Sequence, residues 1–318
     1  VTYTVTVSSS TTGVNCGEGN PVTTYGSNIT CVAIVVRGSG TFTPSGNVNW
    51  TTNGSGNFDT SSCVLSGSNG TATCSVTYTP GSVGSGSHLI TASYAGDESF
   101  FSSTGNQTLT VNKKAASVTP NAASKTYGDA EPELTGVLTG FLPADLVNAS
   151  YSRFAGETVA GGPYTTSAEL SPIGVLANYD ITYNTANFTI APKPIKISPN
   201  SGQTKMFDAL GPLPFTYSHT ELVGTDTISG TLGREPGENA GTYAYTLGSL
   251  AAGTNYTLSM ASSPATFSIT AKPITVTADA GQSKVFGASD PTFTYMSSDT
   301  NATFTGALNR VEGEDVGS

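Results

Sequence analysis

Lys193-Pro-Ile-Lys-Ile-Ser198 returns later in the chain as Lys272-Pro-Ile-Thr-Val-Thr277, and Gly202-Gln-Thr-Lys-Met-Phe207 returns at the same interval as Gly281-Gln-Ser-Lys-Val-Phe286. An earlier copy, Lys125-Thr-Tyr-Gly-Asp129 with Pro132 behind it, matches Lys284-Val-Phe-Gly287 with Pro291 behind it. A second marker, Arg-x-x-Gly-Glu, runs from Arg153 to Glu157, from Arg234 to Glu238 and from Arg310 to Glu314. Closing segments match as well: Asn178-Tyr179 leads to Phe188-Thr-Ile190, and Asn255-Tyr256 leads to Phe267-Ser-Ile269. Self-similarity at one fixed period means one supersecondary unit copied in series. The chain therefore divides into residues 1–112, two complete repeats at 113–192 and 193–271, and the start of a third at 272–318. The third reaches Gly317-Ser318 without a counterpart of the stretch from Thr242 to Thr270. A sandwich lacking that much bares a core face and an edge. One donated strand cannot replace so long a stretch, so a fragment or an unseen remainder is favoured over completion by another molecule.

The period of the hydrophobic pattern sets the fold class. Alternation with period two runs through Ala72-Thr-Cys-Ser-Val-Thr-Tyr78 and Ile90-Thr-Ala-Ser-Tyr94. That is the mark of a strand with one face in the core and one in water. Further short strands are expected at Val1–Val7, Cys31–Val36, Val48–Trp50 and Leu109–Val111. Turn residues separate them at Gly38-Ser-Gly40, Pro44-Ser-Gly46, Asn53-Gly54, Asn69-Gly70, Gly84-Ser-Gly86 and Gly96-Asp97. About seven short strands at this spacing predict an Ig-like sandwich for residues 1–112. Composition agrees, because charged residues are only 11% of the chain, against about 25% in ordinary soluble domains. Thr, Ser, Gly and Asn fill the gap, which suits strands better than helices. The 14 Tyr and 13 Phe supply core material and argue against disorder. The expected fold is all-β: tandem Ig-like β-sandwich domains arranged as an extended rod. An antiparallel sandwich with an odd number of strands puts its ends at opposite poles, and proline in Ile190–Ile195 and Ile269–Ile274 limits bending between modules.

Cys16, Cys31, Cys63 and Cys74 all lie in the first quarter of the chain. An even number in one small domain implies two disulfides and an oxidising compartment: extracellular, at the cell surface or secreted. Zinc is a poor alternative without CxxC or a Cys/His cluster, and four buried free thiols is the plainest one. Of three pairings, Cys16–Cys31 with Cys63–Cys74 is favoured. The second bridge rests on register: a tight turn at Ser68-Asn69 would set Cys63 and Cys74 directly opposite across a hairpin. Net charge is −10, and Lys113-Lys114 is the one adjacent basic pair. No nucleic acid and no anionic bilayer is therefore expected as a partner. No apolar run approaches the roughly 20 residues of a membrane span, so direct membrane insertion is not expected either.

Tyr25-Gly-Ser-Asn-Ile-Thr30, Pro44-Ser-Gly-Asn-Val48 and His88-Leu-Ile-Thr-Ala-Ser-Tyr-Ala-Gly-Asp97 follow in order a pattern of the form YGxxVT, PTGxV and HxITAxYxGD. In these motifs residues 1–112 resemble the bacterial Ig-like repeat family. Cys63-Val-Leu65 to Cys74-Ser-Val-Thr-Tyr-Thr-Pro80 resembles a disulfide-bearing variant of it. The later repeats, with Lys-x-Tyr/Phe-Gly and a following Pro, resemble the MBG repeat, a glycine-rich and mostly β module. Repeat two departs from it at Phe207-Asp208, where the Gly is replaced. The resemblance covers nearly the whole chain. It implies a large bacterial surface or secreted, adhesin-like protein whose modules serve spacing and attachment.

Chemistry is hard to find in these residues. HExxH, GxSxG, GxxxxGK[ST] and GxGxxG are absent, and two histidines leave too few bases for a Ser-His-Asp triad. His88 shares a strand face with Ile90, Ala92 and Tyr94 and is expected to be a packed or edge histidine; His219 has no repeated counterpart. Asp129, Glu131, Glu133, Glu235, Glu238, Asp290, Glu312 and Glu314 sit beside Pro and Gly in turns. The Arg-x-x-Gly-Glu marker is expected to place an exposed ion pair across a Gly bend, worth about 0–1 kcal/mol. Calcium has oxygen ligands available but no DxDxDG loop, so neither metal nor cofactor is expected. Lys125, Lys205 and Lys284 recur at one position. They read either as partners in a Lys–Asn isopeptide crosslink or, with more weight, as snorkelling lysines at a strand edge. Trp50 is the single tryptophan and the one candidate for a ligand contact, by stacking on a sugar; it shares a face with Val48, which favours the core. Asn28, Asn49, Asn106, Asn148, Asn255 and Asn301 open sequons that a Thr-rich chain produces by chance.

The expected function is that of an extracellular structural or adhesive protein, a stalk or filament-forming segment at a bacterial cell surface, and not an enzyme. The alternative is a carbohydrate-binding accessory module of a secreted protein or enzyme. Expected partners are like subunits or neighbouring repeats of one long chain, with surface glycans or a host or neighbouring cell surface beyond them.

Overall fold

The computed structural model describes residues 6–317. The strand expected at Val1–Val7 lies mostly outside them. The chain forms two compact units, Val1–Ala191 and Pro192–Ser318.

Unit one opens with ten strands: β1 (Ser10–Asn15), β2 (Val22–Thr24), β3 (Ile29–Arg37), β4 (Asn47–Thr52), β5 (Gly56–Phe58), β6 (Ser62–Val64), β7 (Ser66–Ser68), β8 (Thr71–Pro80), β9 (Ser87–Tyr94) and β10 (Ser103–Asn112). They build two sheets, β1-β3-β8-β5 with β7 also on β8, and β2-β10-β9-β4-β6. Alternation works as the sequence predicts: β9 buries His88, Ile90, Ala92 and Tyr94 and turns the residues between them outward. The inner faces meet in one core holding Val35, Val48, Tyr78, Ile90 and Leu109.

Cys16 is bonded to Cys31, with Cα atoms 4.0 Å apart, and Cys63 to Cys74, with Cα atoms 5.8 Å apart. The geometry behind the second bridge differs from the hairpin expected. Ser68 lies opposite Thr71, so the turn is Asn69-Gly70, at φ 56° and 86°. Two residues with positive φ match the right-handed twist of the flanking strands, and Asn-Gly is the pair that adopts them most cheaply. Ser68-Asn69 is the midpoint between the cysteines but lacks that chemistry. Cys63 sits in β6, opposite Val48 of β4, while Cys74 sits in β8 of the other sheet. The chain changes sheets at buried Leu65, and the disulfide staples sheet to sheet.

Repeat one adds β11 (Lys114–Pro120), β12 (Ala123–Thr126), β13 (Gly136–Thr139), β14 (Asn148–Arg153), β15 (Tyr164–Ser171), β16 (Tyr179–Tyr183) and β17 (Ala186–Ala191). They form the sheets β13-β11-β16 and β12-β17-β15-β14. In unit two, repeat two has β18 (Lys193–Pro199), β19 (Thr204–Met206), β20 (Tyr217–His219), β21 (Gly233–Arg234), β22 (Gly241–Thr246), β23 (Tyr256–Met260) and β24 (Thr266–Thr270). Its sheets, β20-β18-β23 and β19-β24-β22-β21, copy the same topology. Neither repeat is the antiparallel sandwich expected. β11 runs parallel to β16 and β12 to β17, and β18 and β19 repeat this with β23 and β24. The odd-strand argument about chain ends therefore does not apply. Repeat three shows one antiparallel pair among its described residues, β25 (Val276–Ala278) and β26 (Tyr295–Ser297).

The turn after the recurring lysine survives the missing glycine of repeat two. Gly128 and Gly287 both have φ 83°, and Asp208 holds the same left-handed conformation at φ 65°. Asp tolerates this region because its short side chain can bond locally, at a cost that Gly escapes.

Candidate functional site

The two sequence markers of each repeat meet in space. In repeat one Lys125, from edge strand β12, donates to Glu131 at 3.0 Å and to Glu157 at 2.6 Å. Arg153, at the end of β14, grips both oxygens of Glu131 through Nε and Nη2, and Nη2 also reaches Glu157 at 2.5 Å. Its Nη1 donates to the carbonyls of Phe154 at 3.1 Å and Gly156 at 2.6 Å, closing the Gly bend. The guanidinium lies over the rings of Tyr164 and Phe188, 5.2 and 4.6 Å from their centroids. The expected exposed ion pair is thus half right. The carboxylates face water, but the Lys125 and Arg153 side chains are only 8% exposed, and the arginine is packed on the aromatic core. Cations over ring faces gain from the ring quadrupole as well as from their carboxylates.

Electrostatics follow that geometry. The bond to Arg153 holds the Glu131 carboxyl down at about 2. Lys125, then Arg153, holds Glu157 low, and Glu157 in return pushes Lys125 up. A protonated lysine facing ionised glutamates is the opposite of the amine nucleophile that an isopeptide crosslink needs. Its partners here are Glu and not Asn.

Repeat three repeats the cluster with Asp290 in the place of Glu131. Lys284 reaches Asp290 and Glu314 at 2.7 and 2.8 Å, and Arg310 forks onto Asp290 with two contacts of 2.9 Å. In repeat two, Lys205 and Arg234 meet on Glu238, and Arg234 lies over Tyr243 and Phe267 at 5.0 and 5.1 Å. Gly211 stands at the position of Glu131 and Asp290.

A second constellation joins the Ig-like domain to repeat one inside unit one. The Tyr25 hydroxyl donates to the Asp145 carboxylate, 3.0 and 3.1 Å from its two oxygens, and Tyr179 donates to the same carboxylate. The Leu142 amide donates to the Tyr179 hydroxyl at 2.9 Å, and the Val83 amide to Asn178 Oδ1 at 2.9 Å. The rings of Tyr25 and Tyr179 meet edge to face at 5.5 Å. Gly26, at φ 73°, lets Leu142 approach so closely that a Cβ there would lie 2.5 Å from Leu142 Cδ1. Ala116 and Tyr179 belong to the same buried cluster as the Ig-like core. Burial pushes both hydroxyls up, and Asp145 adds to it, taking Tyr179 to about 12. Sequence reading missed Asp145, although a signal existed. Leu142-x-x-Asp145 returns as Val223-x-x-Asp226, where Tyr256 donates to Asp226 at 2.6 Å and the Val223 amide to Tyr256 at 2.9 Å.

The remaining candidates are structural. Trp50 is 4% exposed, and its indole N–H donates to Cys63 Sγ at 3.2 Å. It offers no face to a sugar, and the ligand contact considered for it is withdrawn, because its strand position points into the core. His88 is buried beside Tyr78, 2.8 Å from its hydroxyl, and burial lowers its pKa. His219 is exposed, with Nδ1 2.8 Å from the Thr220 carbonyl. Among the described residues no group of three or more His, Cys, Asp or Glu could hold a metal ion. Among the same described residues no helix is long and apolar enough to cross a membrane.

A chain of Ig-like and related two-sheet modules in series is an all-β tandem-repeat protein. Residues 116–189, 195–268 and 274–318 match the MBG domain (YGX type), and residues 17–112 match the bacterial Ig-like domain (group 3). The chain belongs to the MBG domain family, with a bacterial Ig-like domain in front of its repeats. Among solved structures, a chimeric titin Z1Z2 functionalized with an exogenous KLER peptide from decorin is 16% identical, with 55% of this chain and 93% of that chain covered and a TM-score of 0.20. Drosophila N-cadherin EC1-4 is 8% identical, with 80% and 77% covered and a TM-score of 0.21. A search of the curated proteins found no match.

Proposed function

We propose that this chain is a spacer segment of a bacterial surface or secreted protein, a stalk or filament piece that carries attachment outward and does no chemistry. The observation that supports this best is the junction of Tyr25, Asp145 and Tyr179. A buried, hydrogen-bonded contact between consecutive modules limits the freedom between them, which a spacer needs. Bacterial Ig-like and MBG modules fit a surface-associated repeat protein, and such modules are typically non-catalytic. Two disulfides fit an oxidising compartment. Partners are then like subunits or neighbouring repeats, and surface glycans or another cell are met by the end of the array. The carbohydrate-module alternative loses its best anchor with Trp50 in the core.

Immunogold electron microscopy of intact cells of the source bacterium, with antibody raised against the chain, tests this together with negative-stain imaging of the purified protein. Gold outside the envelope and a narrow distribution of angles between the Ig-like domain and repeat one are expected. Gold confined to the cytoplasm, or a broad distribution of angles, would overturn the reading.

A further inference from the structure

The seat that an acid fills in repeats one and three stands open in repeat two. In the sister repeats the loop after the recurring lysine supplies Glu131 or Asp290, each followed by proline. That acid takes the Nε–Nη2 edge of the arginine in fork geometry. It also receives the lysine, at 3.0 Å in repeat one and 2.7 Å in repeat three. Two cations there meet two carboxylates. In repeat two Gly211-Pro212 occupies the same place, and Lys205 and Arg234 share Glu238 alone. Arg234 Nη1 still closes the bend on the carbonyls of Glu235 at 2.9 Å and Gly237 at 2.6 Å. Its Nε has no hydrogen-bond partner among the described residues. Glu235 lines the same groove and pairs with neither cation.

Both cations are held in place, with the Lys205 side chain 12% exposed and that of Arg234 14%. In front of them opens a groove of about 500 Å³ whose lining includes Leu210, Pro212, Leu213 and Phe215. Leu210 is 100% exposed and Leu213 78%. An arginine edge fixed on aromatic rings, a second cation beside it and an apolar rim recognise a carboxylate attached to apolar chain. The sister repeats seat such a group themselves, as Glu131-Pro132 and Asp290-Pro291. We propose that this groove binds an acidic peptide segment of a partner protein. An Asp or Glu side chain sits on the Nε–Nη2 edge of Arg234 and on Lys205, with an apolar neighbour against Leu210 and Leu213. The site does not depend on the spacer reading and would give the array one recognition point among otherwise self-satisfied repeats.

The test is an NMR titration of the ¹⁵N-labelled 318-residue chain with acetyl-Ala-Glu-Pro-Glu-Leu-amide, the sequence of Ala130–Leu134. Its Gln-for-Glu counterpart and acetate serve as comparison probes. Saturable shifts are expected at Gly211, Gly237 and Phe267 and not around Arg153 or Arg310, with binding about tenfold weaker for the Gln peptide. Gly211→Glu supplies the chain's own carboxylate and abolishes binding. It is sterically open, since a Cβ at Gly211 meets only Lys205 Cδ at 3.4 Å and Phe267 Cζ at 3.9 Å. Lys205→Gln, which leaves the arginine on its rings, weakens binding about threefold or more. Equal binding by wild type and Gly211→Glu, or equal shifts with the Gln peptide, overturns the site. Acetate binding as tightly as the peptide overturns the peptide partner.

Discussion

Removing one oxygen at the junction tests whether the Ig-like domain and repeat one stand as a single body. In Tyr25→Phe the ring keeps its edge-on contact with Tyr179 at 5.5 Å. Only the hydroxyl that donates to Asp145 at 3.0 and 3.1 Å disappears. A hydrogen bond to a charged group is worth about 1.5–3 kcal/mol. Asp145 retains Tyr179, and its half-open carboxylate can take water in place of Tyr25, so the expected cost is about 1.5 kcal/mol. For a unit spanning Val1–Ala191, 1 kcal/mol moves the thermal midpoint by about 2–4 °C. The variant should therefore melt about 3–6 °C lower. Trp50 lies in the Ig-like core, so its fluorescence follows that domain, while calorimetry follows both. A coupled pair loses the same amount by both readouts. Combining Tyr25→Phe with Tyr179→Phe should show a coupling of about 0.5 kcal/mol or more, because both hydroxyls act on one carboxylate. Alkali gives an independent check. Both hydroxyls are raised in the folded protein, Tyr179 to about 12. The contribution of Tyr179 is full below the ordinary value near 10 and is lost as pH climbs through about 12, and that of Tyr25 is likewise lost as pH rises above its ordinary value. A variant within about 0.3 kcal/mol of wild type, with additive double mutants, would refute the coupling.

Acid should act on the ion clusters in the opposite sense. Arg153 holds Glu131 at about 2, so its contribution is present above the ordinary value near 4.5 and is lost as pH falls from 4.5 toward 2. The side chain is 40% exposed, which screens the effect to about 1 kcal/mol or less; Glu131→Gln should flatten that part of an acid denaturation curve. Asp208→Gly should raise the urea midpoint by the equivalent of about 0.5–1 kcal/mol, since glycine takes φ 65° without strain. No gain would mean that the ion pair of Asp208 with Lys272, 3.7 Å away, is worth the strain. Replacing Cys63 and Cys74 together by alanine opens a loop with a sequence separation of 11 and should cost about 3 kcal/mol in guanidinium unfolding followed through Trp50. An unchanged midpoint would show that the sheets need no staple.

The modules were legible because copying leaves a mark that needs no geometry: one identical shift along the chain in two separate motifs. The Ig-like strands were legible where alternation and turn chemistry coincide, as in β8 and β9. Periodicity reports which face of a strand is buried and not which sheet the strand joins. Hence the sheet change at Leu65 stayed hidden, since the three residues of β6 are too few to show a pattern. Parallel pairing stayed hidden for the same reason. Lys125 and Arg153 were each recognised as recurring, but their meeting was not inferred. That they recur together in three repeats was the available clue. Asp145 escaped because it lies in a short turn outside any strand, where only its copy at Asp226 could have marked it.

The parallel pairs have a mechanical consequence. Tension along the chain drags β11 by its leading end and β17 by its trailing end. β11 lies parallel to β16, and β17 parallel to β12. Parallel neighbours pulled this way slide lengthwise, so the evenly spaced bonds between them bear load together instead of unzipping one by one. Forced unfolding is governed by the rate of that rupture and not by equilibrium stability. Strength under pull then belongs to the strands at the module's two ends, while resistance to heat or denaturant belongs to its aromatic core, and the two properties can vary independently from repeat to repeat.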